Sequence, residues 1–126
     1  LEELDEIHNL KTGKLIQACV ESICILKKDL PKEHLRAFKN FAKKFGLAFQ
    51  IKDDILDVIG DEKVIGKPIK SDLKLKKASY PSIIGLGASQ ERAEKLCAEA
   101  LAILTKLPYK TDNLIKLSKF IIFRKK

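Results

Sequence analysis

Apolar residues recur at helical spacing along almost the whole chain, and no segment alternates as a β-strand would. The pattern predicts a first helix from Leu1 to about Leu26. Thr12-Gly13 interrupts it, and because an interior Gly costs about 1 kcal/mol relative to Ala, we expect a kink or a close backbone approach there. The turn Asp29-Leu30-Pro31 leads into a second helix from about Lys32 to Ile59. The predicted fold class is therefore all-α.

The helical pattern lapses between Gly60 and Pro81 and then returns. Three further helices are predicted: a short buried one around residues 80–86, an amphipathic one from Ala88 to Leu107 with Ser89 as N-cap, and a final one from Thr111 to Phe123 capped by Thr111 or Asp112. The first helix has an apolar side that we expect to be core, made of Leu4, Ile7, Leu10, Leu15, Ile16, Cys19, Val20 and Ile23. The corresponding stripe of the second helix is Phe38, Phe41, Ala42, Phe45, Ala48 and Phe49.

Length and composition suggest one domain or one piece of a larger one, because 126 residues can bury a single sizeable core. The chain contains no Met and starts at Leu1 already in amphipathic register, so we expect a fragment, a processed product or part of a longer protein. Its three cysteines, Cys19, Cys24 and Cys97, lack metal or CxxC spacing. We interpret them as small buried apolar residues in a reducing, cytoplasmic compartment. No apolar run reaches the ~18 residues of a membrane span, and no signal peptide is visible.

The formal net charge of +8 is compatible with nucleic acid, a membrane surface or a small polyanionic substrate as partner. Solvated helix faces explain most of the individual lysines. Aromatic residues do not alternate with the basic ones, and this argues against a nucleic-acid platform. We therefore predict no nucleic-acid partner.

The most informative stretch is an acidic face within the second helix. Gln50, Asp53, Asp54 and Asp57 follow the i, i+3, i+4, i+7 spacing, so one helix face carries an amide and three carboxylates. Like charges at this spacing repel, and in the last two turns of a helix the dipole also disfavours them. Salt bridging is the alternative, but only Lys52 is nearby. A bound cation explains the face better, and oxygen ligands suit Mg²⁺.

Two cationic elements flank this face in the sequence. Lys11-Thr12-Gly13 combines an ammonium group, a hydroxyl group and the helix break. The connection after residue 60 is crowded with lysines, which form either a flexible basic loop or a lid that reaches phosphates: Lys67, Lys70, Lys74, Lys76 and Lys77. Cations on both sides of a carboxylate-bound metal predict a clamp for a diphosphate.

The order and flanks of these motifs resemble a known family. The motifs are Ile7-His8-xx-Lys11-Thr12-Gly13-x-Leu15-Ile16, Gly46-Leu47-Ala48-Phe49-Gln50-xx-Asp53-Asp54-Ile55-Leu56-Asp57, Gly66-Lys67, Ser71-Asp72 and Lys77-xx-Tyr80-Pro81. They resemble the trans-isoprenyl diphosphate synthases of the short-chain farnesyl or geranylgeranyl type. The resemblance implies an all-helical isoprenoid-synthase bundle that is homodimeric and Mg²⁺-dependent and that condenses an allylic diphosphate with isopentenyl diphosphate. Residues 1–126 would be the carboxyl-terminal portion of that single domain.

Site roles are implied by the same resemblance. Catalysis would rest on Lys11, Thr12 and Gln50, with the oxygens of Thr12 and Gln50 near the developing allylic cation. The metal-binding aspartates of the family's second aspartate-rich motif would be Asp53, Asp54 and Asp57, with Asp53 the foremost direct ligand. Asp72 would not bind the metal itself but would interact with groups that do. Diphosphate would be held by Lys11, Thr12, Gln50, Lys67, Lys77 and Arg124, the last together with Lys125 and Lys126.

Departures from the family pattern affect the loop: Lys70 and Lys76 stand where Gly is usual, and Ala78 stands where Ser or Thr is usual. The family's first aspartate-rich motif and most of its isopentenyl diphosphate site lie upstream of the matched region. We therefore expect this segment to need the amino-terminal half of the enzyme and to be inactive alone. The alternative is a noncatalytic or regulatory subunit. A basic nucleic-acid binder ranks below both, because it does not explain three carboxylates on one face.

Overall fold

The computed structural model describes the backbone of residues 1–65 and 78–125 and the side chains of residues 1–60 and 78–125. All regular structure in these residues is helical, as predicted. In chain order the elements are α1 (Glu2–His8), a π-helical segment (Asn9–Gly13), α2 (Lys14–Leu26), α3 (Lys32–Ile65), α4 (Tyr80–Ile84), α5 (Leu86–Thr105) and α6 (Asp112–Phe123). No helix among the described residues is both long enough and apolar enough to cross a membrane.

A close helix crossing explains the interruption at Thr12-Gly13. The π-helical segment ends at Gly13, which is buried against α3. A Cβ atom built on Gly46 would lie only 3.0 Å from the Cα atom of Gly13. The predicted close backbone approach is thus confirmed, and it depends on glycine at position 46, because a Cβ atom on Gly13 would instead meet Asn9 Oδ1 of its own helix at 3.2 Å.

The central element is α3, which packs most extensively against α5 and also contacts α2 and the π-helical segment. One core cluster joins Phe41, Phe45 and Ala48 of α3 to Leu104 of α5 and Ile122 of α6. A second cluster lies nearer the carboxyl end of α3 and contains Leu4, Leu47, Ile51, Ile55, Tyr80 and Ala93. The predicted stripe on α3 is therefore confirmed in its central positions, whereas Phe38 and Phe49 are only partly buried.

α3 is longer than predicted, because it continues to Ile65 instead of ending at Ile59. Asp57 consequently lies about two turns before the helix end. The helix dipole acts mainly within the last turn, so the expected dipole penalty on the aspartates was wrong. Their mutual repulsion remains.

The apolar side predicted for the first helix is buried only in part. Leu4 is buried and Ile16 and Val20 are half-buried, but the other predicted core residues are exposed: Ile7, Leu10, Leu15, Cys19 and Ile23. The periodicity marks a wide apolar face, and α3 covers only a strip of it. The prediction that all three cysteines are buried was therefore wrong for Cys19 and confirmed for Cys24 and Cys97.

The N-cap predicted at Ser89 was also wrong. α5 begins at Leu86, after Gly85 with φ of 85°. Ser89 is buried in the first turns of that helix and donates its hydroxyl to the Gly85 carbonyl at 2.7 Å. A side-chain N-cap is found instead at α4, where Ser79 and Ser82 form a reciprocal capping box. Thr111 occupies the N-cap position of α6 without a side-chain capping bond.

Candidate functional site

Thr12 and Gln50 meet at the glycine crossing. The Thr12 hydroxyl donates to Gln50 Oε1 at 2.6 Å, although the two residues are 38 positions apart in sequence. This contact lies beside the close approach of Gly13 and Gly46, where a Cβ atom on Gly46 would push the helices apart. Lys11 precedes Thr12 on the π-helical segment and is exposed. The structure thus brings two of the three predicted catalytic side chains into contact and leaves the third beside them, open to solvent.

The acidic face begins one turn after Gln50. Asp53 is partly exposed, with 48 % of its side chain accessible, and Asp57 is exposed one turn further along α3. Residues four apart lie one above the other on a helix, so both carboxylates share the face that follows Gln50. The face predicted from spacing is therefore present for these two aspartates.

Arg124, at the carboxyl-terminal end of α6, approaches the acidic face. Its Nη2 atom lies 3.3 Å from Asp53 Oδ1, and its guanidinium carbon lies 5.2 Å from the centroid of the Phe49 ring. A cation thus rests against the carboxylate that the sequence analysis ranked first as a metal ligand. Asp53 was predicted as a metal ligand and Arg124 as a diphosphate ligand, and the two side chains are in contact.

Asp54 has a different environment from the other two aspartates. It is buried, and its Oδ2 atom lies 2.9 Å from His8 Nε2 and accepts from the Tyr80 backbone N–H at 3.0 Å. With the Nε2–H tautomer of His8, both acceptor positions of this oxygen are taken. Direct metal binding by Asp54 would therefore have to use its other oxygen. The metal role of Asp54 stays a prediction, and the structure adds a packing role.

Sequence reasoning missed the network around Asp54. The His8 ring stacks on the buried Tyr80 ring at 5.7 Å between centroids. Arg92 donates to the Tyr80 hydroxyl at 3.2 Å and to Asp5 Oδ2 at 2.8 Å. The sequence did contain a signal for this network. His8 and Thr12 are four residues apart, and so are Gln50 and Asp54. Two crossing helices need such matched spacing to form two side-chain pairs.

Lys52 contributes positive charge close to the acidic face. It is buried, and loss of hydration lowers the pKa of its ammonium group below the ordinary value. The charge of Arg124 lowers this pKa further, whereas Glu94 partly offsets the effect. The region therefore already holds cations beside its carboxylates.

A Mg²⁺ ion fits the donor set of the exposed aspartates. Within residues 1–60 and 78–125, no group of three or more His, Cys, Asp or Glu side chains could hold a metal by itself. Mg²⁺ commonly takes only one or two carboxylates and completes its shell with water and substrate phosphates. Asp53 and Asp57 supply such a pair. Lys67, Asp72 and Lys77, which were predicted to assist, lie outside the described residues.

Comparisons with known proteins show the family of the chain. A family model described as polyprenyl synthetase matches residues 1–117. The chain belongs to the polyprenyl synthetase family. Farnesyl diphosphate synthase of Haemophilus influenzae is 40% identical over 126 residues, which cover 99% of this chain and 42% of the relative. Geranylgeranyl diphosphate synthase of Cyanophora paradoxa is 42% identical over 98% of this chain and 41% of the relative.

The polyprenyl synthetase fold is supported by a solved structure as well. A crystal structure of a protein assigned as a farnesyl-diphosphate synthase from Marinomonas sp. MED121 superposes with a TM-score of 0.78 and 30% sequence identity. The match covers 97% of this chain and 40% of that one. The chain thus spans about two fifths of the length of the relatives it matches.

Proposed function

We propose that this chain supplies the carboxyl-terminal part of a short-chain prenyltransferase that condenses isopentenyl diphosphate with an allylic diphosphate. The observation that carries the proposal is the contact between Thr12 and Gln50 one turn before the partly exposed Asp53. Thr12 and Gln50 meet at the helix crossing, the exposed Lys11 precedes Thr12, and Asp53 and Asp57 follow Gln50 along α3. This combination suits a substrate whose diphosphate leaves while an adjacent carbon becomes positive.

Asp53 and Asp57 would hold Mg²⁺, and Mg²⁺ would supply charge that stabilises the departing diphosphate. The Lys11 ammonium group would bind the same diphosphate as a point charge. Gln50 Oε1 and the oxygen of Thr12 would face the developing allylic cation and lower its energy by electrostatic attraction.

The proposed reaction needs no reactant besides the two diphosphates. The allylic C–O bond breaks, and its electron pair leaves with the diphosphate. The alkene of isopentenyl diphosphate then attacks the allylic carbon and forms the new C–C bond. The proton released from the resulting cation passes to the departing diphosphate.

Arg124 would exchange partners during this cycle. Its guanidinium group lies against Asp53 at 3.3 Å, which is a long contact for a charge-assisted hydrogen bond. When diphosphate and Mg²⁺ bind, Asp53 would bind the metal, and Arg124 would be free to form two hydrogen bonds to the diphosphate. Lys67 and Lys77 are proposed to bind the same diphosphate, and Asp72 to support the metal site.

The remaining parts of the proposal concern the longer protein. The exposed apolar side chains Ile23 and Leu26 on α2 and Phe120 on α6 support packing against an amino-terminal half. We also propose a homodimer in the cytoplasm. These proposals follow from the family rather than from a contact within the chain.

A prenyl-transfer assay tests the proposed function. The longer protein that contains this segment should convert isopentenyl diphosphate and an allylic diphosphate to a longer prenyl diphosphate only when Mg²⁺ is present. Residues 1–126 alone should be inactive. Steady transfer by the segment alone would contradict its incompleteness. A longer protein that forms no product, yet changes the activity of a partner synthase, would instead support the regulatory alternative.

A further inference from the structure

The buried contact between His8 and Asp54 lies directly beneath the proposed site. His8 and Asp54 are 6 % and 7 % exposed, and they are joined across 46 residues of sequence at 2.9 Å. Thr12 and Gln50 form a second pair one turn away. Because His8 and Thr12 are four positions apart, as are Gln50 and Asp54, the two contacts fix both the distance between the helices and the rotation of α3 about its axis.

A buried carboxylate needs donors, and Asp54 receives few. Burying an ionised carboxylate without hydrogen bonds is expensive, and its Oδ2 atom has the His8 ring and the Tyr80 N–H as its partners. If His8 were replaced by a residue without an N–H donor, Asp54 would lose one of these two donors. Asp54 would then gain by turning toward water, and this turn of α3 would lose the contact that holds it against His8.

A local shift of this turn of α3 would displace the neighbouring ligands. Asp53 is the next residue in sequence, and Gln50 lies one turn away on the same helix. The proposed chemistry requires Asp53, Gln50 and Thr12 to keep a fixed spacing around one diphosphate. Misplacement by about 1 Å can lower a rate by about a hundredfold.

Resting on the proposed function, we propose that His8 is a positioning residue that, through Asp54, sets the orientation of Asp53 and Gln50 toward the metal-bound diphosphate. The same Asp54 oxygen that contacts His8 also accepts a hydrogen bond from the backbone N–H of Tyr80, the first residue of α4. By holding Asp54 in place, His8 therefore also helps to fix the start of α4. Among the described side chains, the hydrogen-bond partner of the His8 ring is Asp54 and not Asp53, Asp57 or Gln50, and the influence of His8 on them is therefore indirect.

The test uses the longer protein and substitutions at both histidines of the chain. His8→Phe keeps an aromatic ring to stack on Tyr80 but removes the N–H, whereas His8→Gln retains an amide donor of similar reach. The control is His34, which contacts the Tyr109 hydroxyl at 2.6 Å near the other end of α3. His34→Phe and His34→Gln therefore make the same chemical changes away from the site.

Two readouts do not depend on catalysis. Calorimetry measures how much Mg²⁺ is needed for inorganic diphosphate to bind, and hydrogen exchange measures protection of the Tyr80 amide. For His8→Phe we expect the Mg²⁺ requirement to rise about 10–100-fold, as for the loss of other residues that orient metal ligands. The Tyr80 amide should also exchange faster. His8→Gln and both His34 variants should stay close to wild type.

Unchanged Mg²⁺ dependence in a folded His8→Phe protein would overturn the inference, even if that protein were less stable. If His8→Phe does not fold, His8→Asn replaces it, because its shorter amide does not reach Asp54 as His8→Gln does. Equal Mg²⁺ dependence of the Asn and Gln variants would then overturn it. Wild-type protein that binds Mg²⁺ and diphosphate but transfers no prenyl group contradicts only the proposed function. Wild-type protein that binds neither contradicts both.

Discussion

Replacing Gly46 with Ala tests the helix crossing that supports the site. The new Cβ atom would lie 3.0 Å from Gly13 Cα, and this neighbour is backbone that cannot turn aside. Carbon atoms prefer about 3.5–4.0 Å, so the helices must separate by about 0.5–1 Å. Overpacking of this kind costs about 1–3 kcal/mol, and the better helix propensity of Ala returns about 1 kcal/mol.

Gly60→Ala is the matched control, because Gly60 is an exposed residue of the same helix and a Cβ atom added to it would meet no atom of the described side chains and backbone within 4 Å. It should stabilise the protein by up to about 1 kcal/mol. Urea unfolding followed by circular dichroism should therefore place Gly46→Ala about 1–3 kcal/mol below Gly60→Ala in free energy of unfolding. Equal free energies for the two variants would refute the crossing.

The same substitution should also weaken the site. Separation by about 0.5–1 Å would stretch the Thr12–Gln50 contact from 2.6 Å to beyond the ordinary O–H···O range of about 2.5–3.0 Å. Calorimetry should then show weaker Mg²⁺-dependent binding of diphosphate by Gly46→Ala and unchanged binding by Gly60→Ala.

Two other predictions concern thiols and acid stability. Cys19 is exposed and should react first with a thiol reagent, whereas burial raises the pKa of the Cys24 and Cys97 thiols; rapid labelling that persists in Cys19→Ser would contradict this. The hydrogen bond from Lys44 lowers the pKa of Glu99 below the ordinary value of a glutamate, so this pair stabilises the fold above the ordinary pKa and its contribution is lost as the pH falls through the lowered pKa. Urea midpoints of wild type and Glu99→Gln should converge at low pH, and a constant difference would oppose this assignment.

Helix positions could be predicted from sequence better than the surroundings of each helix. The apolar period placed α2 and α5 well, because long amphipathic patterns are specific. It could not say that Leu15 and Ile23 would be exposed, since periodicity defines an apolar face and not what covers it. The N-cap predicted at Ser89 was wrong because the helix begins earlier, with Gly85 at the N-cap position.

The acidic face followed from spacing within a single helix, so Asp53 and Asp57 could be paired in advance. The partner of Asp54 could not, because His8 lies 46 residues away and meets Asp54 only once the chain has folded. Local patterns reveal which residues share a helix face. They do not reveal which of those residues turn inward at a contact between helices.

The measurement that tests the central claim most directly is the prenyl-transfer rate of the longer protein with Asp53→Ala, over a range of Mg²⁺ concentrations. Glu91→Ala, which removes an exposed carboxylate from α5, is the control. Because Asp53 is proposed to bind the metal directly, its loss should lower the rate by at least about a hundredfold, with Glu91→Ala unchanged. A rate near wild type for Asp53→Ala at every Mg²⁺ concentration would contradict the proposed metal-diphosphate site.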